Sequence, residues 1–203
     1  PMFTDYITLM LVNMVAGHFV LADFVFRGLG RDRRRAWVPA LSMVGVVALG
    51  TGFHMTLTWP IPSLPQANLA YANIAYGEMT ILFGILFLGL AAACALGSGL
   101  EALGIYAFFA GAAAVVVGLR IGQLGLTNSP GLTTVGFVLS GGAGILFCPL
   151  LFLCRSSGLM RTLVAVVLVG GGLVWSAVGY PAYWSHIQRF SETQQQQSGD
   201  NGS

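Results

Sequence analysis

The sequence predicts an all-α fold, a polytopic transmembrane bundle of about six helices with both termini extracytoplasmic, on three observations. Hydrophobic residues make up 56% of the chain and charged residues 8%, whereas a water-soluble domain carries roughly 25% charged residues. Apolar runs long enough to cross a bilayer, roughly 20 residues each, recur along the chain between proline, glycine and arginine clusters. The arginines gather on alternate connections, the pattern of short loops retained in the cytoplasm.

The first span covers about residues 5–29. It does not read as a cleaved signal, because no basic residue precedes it and Asn13, His18 and Asp23 interrupt it. A basic cluster, Arg31-Asp32-Arg33-Arg34-Arg35, leads into a second span over 36–59. Pro60, Pro62 and Pro65 stop that span, since proline lacks the amide a helix needs. A loop with Gln66, Asn68, Tyr71 and Asn73 precedes the third span, 72–96. Gly97-Ser98-Gly99 turns the chain into the fourth, 100–119, and Asn128-Ser129-Pro130-Gly131 into the fifth, 132–153. The sixth, 162–183, is expected to break near Pro181. Residues 1–190 thus form one transmembrane domain, and the glutamine-rich residues 191–203 read as a disordered polar tail. Leu57-Thr58-Trp59-Pro60 and Leu126-Thr127-Asn128-Ser129-Pro130 look alike, which fits a shared need for an outer helix stop.

With six spans, Arg27, Arg31, Arg33, Arg34, Arg35, Arg155 and Arg161 fall on one side, and Arg120 and Arg189 on the other. That asymmetry orients the termini and the proline-rich loop outward. The expected setting is a prokaryotic cytoplasmic membrane, crossed several times, with the lipid bilayer as partner. A formal charge of +2 is too small to suggest nucleic acid. Cys94, Cys148 and Cys154 are odd in number and form no paired spacing, so they read as small buried thiols. Glycines fill the spans and suit close helix approach; the pair Gly118/Gly122 also offers a seam for a homo-oligomer.

Ionisable and polar groups within spans are costly and mark candidate function. At 1.5 Å per residue, His54, Glu78, Arg120, Tyr183 and His186 come out near the extracytoplasmic ends and form a candidate outer polar site. Asn13, His18 and Asp23 lie at successive depths along span one, as a deeper path. The simpler reading of His18 is a neutral imidazole bonded to a backbone carbonyl or to Asn, and the sharper one is a haem or metal ligand. The simpler reading of Asp23 is an i,i+4 pair with Arg27. His54, Glu78 and His186 are the candidate metal ligands, although HxxxH, CxxC and HExxH motifs are all absent.

Four stretches carry a family resemblance: His54-Met55-Thr56-Leu57-Thr58-Trp59-Pro60, Asn73-Ile74-Ala75-Tyr76-Gly77-Glu78, Leu124-Gly125-Leu126-Thr127-Asn128-Ser129-Pro130, and Gly179-Tyr180-Pro181-Ala182-Tyr183 followed by His186. On these the chain resembles an uncharacterised family, a domain of unknown function, of predicted bacterial and archaeal multi-span membrane proteins. The resemblance implies the multi-span fold and supplies no activity.

Three functions stay open at this level. The first is permeation or transport of protons, a small ion or a solute past the polar residues. The second is a redox protein or membrane enzyme holding haem or a transition metal, with quinone chemistry suited to the same place. The third is a non-catalytic scaffold or accessory subunit. No nucleophile elbow is present to favour hydrolytic chemistry.

Overall fold

The structure is a computed structural model that describes residues 6–61, 63–64, 67–68, 70–154 and 157–200. It contains six helices long and apolar enough to cross a membrane: Ile7–Gly28, Arg34–Thr58, Asn73–Leu96, Glu101–Leu124, Pro130–Phe152 and Gly158–Gln188. Helix α1 (Tyr6–Asp23) widens into a π-helical turn over Phe24–Gly28. A 3₁₀ segment over Arg31–Trp37 then leads into α2 (Val38–Thr58). After a two-residue antiparallel pair, β1 (Ser63–Leu64) with β2 (Ala67–Asn68), a second π-helical turn over Asn73–Glu78 opens α3 (Met79–Leu96). Helices α4 (Glu101–Leu124), α5 (Pro130–Phe152) and α6 (Gly158–Asp200) complete the chain.

The stops are local chemistry. Gly97 (φ 69°) and Gly125 (φ 62°) end α3 and α4 in the left-handed region, which glycine enters without a Cβ clash. Trp59 ends α2 in the same region at φ 47°, ahead of Pro60, and its N–H still reaches the Met55 carbonyl at 3.2 Å. Trp59, inside the first of the two similar stretches, and Gly125, just ahead of the second, therefore each close a helix in the left-handed region. The largest differences from the sequence reading are at the ends of α4 and α6, while α5 and α6 also begin earlier, at Pro130 and Gly158. Helix α4 continues past Arg120 to Leu124, and α6 runs through Pro181 to Asp200 instead of breaking there.

The helices form a closed ring in chain order, with α6 returning to pack on α1. Helix α4 lies along α5 and touches α3 only sparsely. Small residues bring backbones together as membrane bundles require. A Cβ on Gly111 would meet the Gly141 carbonyl oxygen, and one on Gly141 would meet that of Gly111. Gly118 and Gly122 face Phe137 and Thr134 of α5, so this pair is spent within the chain. Gly52 lies against Ile81 and the Gly77 carbonyl across the α2–α3 seam.

The end carrying Trp59, Tyr71 and Leu126 is tied by motif residues. Asn73, fully buried, accepts from the Ile61 N–H (3.3 Å) and donates to the carbonyls of Ile61 (2.8 Å) and Ala70 (3.2 Å). Tyr71 donates to the Leu126 carbonyl at 2.5 Å, and burial holds its phenol above the ordinary value, so it stays protonated to donate. Tyr76 shares a hydrogen bond with Thr133, which meets Thr127 at 3.2 Å. Two of the family-like stretches, with Ile61, Tyr71 and Thr133 beside them, thus form a clamp. Asn73→Asp keeps the shape but removes both donated bonds. Hydrogen exchange at Ile61 and Asn73 amides is expected to accelerate by about tenfold, from about 1–2 kcal/mol of lost local stability; unchanged exchange would deny the clamp.

Candidate functional site

The described contacts of the five outer residues are mostly local. His54 is exposed and meets Thr58 of its own helix at 3.3 Å. Glu78 is exposed at the end of its π-helical turn. Arg120 is exposed and reaches Gln123, one turn on, at 3.4 Å. Tyr183 is exposed, and His186 meets Thr8 of α1 at 3.4 Å. Among the described residues, no three His, Cys, Asp or Glu side chains gather as a metal site. The ligand set His54, Glu78 and His186 is therefore not assembled.

The deeper residues separate. Asn13 donates to the Val44 carbonyl at 3.0 Å and ties α1 to α2. Asp23 pairs with Arg27 and accepts from Trp37 Nε1 at 2.9 Å, fastening the α1 end to the following 3₁₀ segment. Both serve the fold. His18 differs. It is 2% exposed, and its Nδ1 lies 2.8 Å from the Met14 carbonyl, which can only accept. Nδ1 therefore carries a hydrogen.

Around His18 the bundle builds a polar centre within an apolar core. Nε2 lies 2.8 Å from Ser140 Oγ on α5. Ser140 also reaches the Gly136 carbonyl at 2.7 Å and receives Trp175 Nε1–H from α6 at 2.9 Å. Trp175 is fully buried and meets Phe137 edge-on, with ring centres 5.2 Å apart. Phe83 of α3 stacks on the imidazole at 6.2 Å. Gly171 and Gly172 leave the room His18 needs beside α6, since a Cβ on either would press on the histidine. Four helices thus meet at one hydroxyl and one imidazole. Ser140, Trp175 and Phe83 are the residues that sequence reading missed. A mid-helix serine or an apolar-facing tryptophan carries no local signal of a partner more than a hundred residues away.

Space adjoins this centre. A cavity of about 80 Å³ lies between α1, α3, α4 and α5, and Ser140 supplies the one hydroxyl on its wall among Met14, Phe83, Phe137 and other apolar or glycine residues. A larger hollow of about 450 Å³ opens where α3 and α4 separate, lined by Leu82, Ala102, Ile105, Tyr106, Phe109 and Ala110. Leu82 and Ala110 line both. Ile105, Tyr106 and Phe109 are exposed on α4, so the hollow faces what surrounds the span, which for such a helix is hydrocarbon.

A family model described as a protein of unknown function (DUF981) matches residues 2–189. The chain belongs to this family. No curated protein and no solved structure matches it. The DUF981 match runs from before α1 into the far part of α6. It therefore takes in the whole ring of six helices, including His18, Ser140 and Trp175.

Proposed function

We propose that this DUF981 protein takes a lipophilic molecule from the bilayer through the α3–α4 cleft and holds its inner end beside Ser140. The carrying observation is an exposed hollow and a smaller cavity that share Leu82 and Ala110 on their walls, the cavity having one polar side chain among its described lining. Ligand sites of a few hundred Å³, mostly apolar with a few placed polar groups, are what small amphiphiles occupy. Transport of protons or ions along Asn13, His18 and Asp23 draws less support, because Asn13 and Asp23 are engaged in joining helices and the cavity wall is apolar.

The reading places the protein in a cytoplasmic membrane, with both termini and the Trp59–Asn73 connection outside and the arginine-rich connections inside. In a cysteine-free background, Ser129→Cys is expected to react with an impermeant maleimide in intact cells and Ser98→Cys only after lysis. The reverse pattern would invert the topology.

Ala110→Trp tests the cleft itself. An indole at this shared wall intrudes on both spaces, so mass spectrometry of solvent extracts is expected to show the co-purified lipophile at least about fivefold lower than in the wild type. Equal amounts in a variant of unchanged thermal stability would remove the cleft from the proposal.

A further inference from the structure

We infer that the group held at Ser140 is the hydroxyl end of an uncharged, single-chain lipid alcohol; this rests on the cleft reading above. The first argument is depth. Ser140 lies ten residues past Pro130, about 15 Å along α5 at 1.5 Å per residue. That is half of a hydrocarbon core of about 30 Å. A phosphate or ammonium head cannot be drawn there without a partner charge, and the described wall of the cavity carries none. An ordinary phospholipid can lend only a chain to the cleft, whereas a neutral polar end can travel to mid-span.

The second argument is a count of hydrogens. In the uncharged imidazole, Nδ1–H is committed to the Met14 carbonyl, and Nε2 is a bare acceptor. Ser140 has one hydrogen, and two acceptors lie within reach of it: Nε2 of His18 at 2.8 Å and the Gly136 carbonyl at 2.7 Å. Trp175 Nε1–H fills one lone pair of Ser140 and leaves the other open. The Gly136 carbonyl already receives the Ser140 amide along α5, so the hydroxyl hydrogen is free for His18 and a vacant acceptor remains on Ser140. A hydroxyl supplies what is missing: it donates to the open lone pair of Ser140 while Ser140 donates to His18. A carbonyl or an ether brings no hydrogen for that acceptor.

The third argument is width. A cavity of about 80 Å³ takes a handful of water-sized groups, enough for a hydroxyl and the first carbons of one chain. A diacylglycerol, with two ester-linked chains next to its hydroxyl, is too broad to follow it in.

The test uses quenching of Trp175. With Trp37, Trp59 and Trp184 replaced by Phe, Trp175 is the remaining indole among the chain's four. Purified protein in detergent is titrated with 2-bromohexadecanol, with its methyl ether, and with a brominated dioleoylglycerol. Saturable quenching by the alcohol, about tenfold tighter than by the ether, is expected, because one hydrogen bond distinguishes them. Ser140→Ala should bring the two together. In the unsubstituted protein, the alcohol should raise Tm and the ether should not, which keeps the test decisive if the triple variant does not fold. Equal quenching by alcohol and ether would overturn the hydroxyl inference and leave the cleft reading standing. Preferential quenching by the diacylglycerol would overturn the single-chain assignment. Quenching by none of the three would overturn the inference, and an unchanged lipid content in Ala110→Trp would then take the cleft reading with it.

Discussion

Gly111→Val is expected to keep α4 and α5 from closing, yielding protein that aggregates on size exclusion in detergent. At this position the obstacle is backbone. A Cβ would overlap the Gly141 carbonyl oxygen and lie 3.0 Å from the Ile145 nitrogen. Side chains can rotate away from an added group, but a carbonyl fixed in its helix cannot. The helices must separate or bend, at a cost of at least 1–3 kcal/mol by the usual penalty for overpacking. Separation would also withdraw the neighbouring contact of Gly144 with the Ala107 carbonyl. Gly142→Ala is the control. Nothing lies within 4 Å of a Cβ there, so the variant should elute and melt as the wild type does. If both variants behave alike, the α4–α5 seam is not closed by its glycines.

The second large effect is expected at Ser140. Ser140→Ala strands the Trp175 Nε1–H and the His18 Nε2 together, in a core where water does not replace the lost partner. The cost is about 1–2 kcal/mol, since buried unsatisfied groups cost about 1–3 kcal/mol each in soluble proteins and hydrogen bonds between membrane helices are worth somewhat less. Trp175→Phe should soften the penalty, because it removes one stranded donor. The double variant is then less destabilised than the sum of the singles. Strict additivity in thermal or denaturant unfolding would show that Ser140 and Trp175 do not act as a pair.

Most of the architecture was legible because bilayer thickness imposes a length on every span. Apolar runs near 20 residues, stopped by Pro60 or Gly97, locate helices with little ambiguity. Two ends were misplaced for physical reasons. Arg120 looked like the close of a span, yet a long basic side chain can reach outward from within a helix, and the stop falls at Gly125. Pro181 looked like a break, yet a proline can sit inside a membrane helix when its surroundings absorb the freed carbonyl.

The candidate site was less legible. Residue spacing gives height along a helix at 1.5 Å per residue, but the direction a side chain faces depends on which helices stand beside it. His54 and Glu78 were grouped by height and both are exposed. Sequence alone leaves the bond of His18 open between a backbone carbonyl and Asn; the Met14 carbonyl supplies it. Its polar partner was hidden. Ser140 stands 122 residues away in a run of glycines that reads as packing, and only ring closure, with α6 against α1, brings it within reach of His18.

The most direct test of the account is photocrosslinking in proteoliposomes with a long-chain alcohol bearing a diazirine midway along its chain. Peptide mapping is predicted to place the adducts on Leu82, Ile105, Tyr106 and Phe109, with excess unlabelled alcohol removing them. Adducts spread equally over other lipid-facing positions such as Met43 and Val166, and insensitive to competitor, would contradict the cleft.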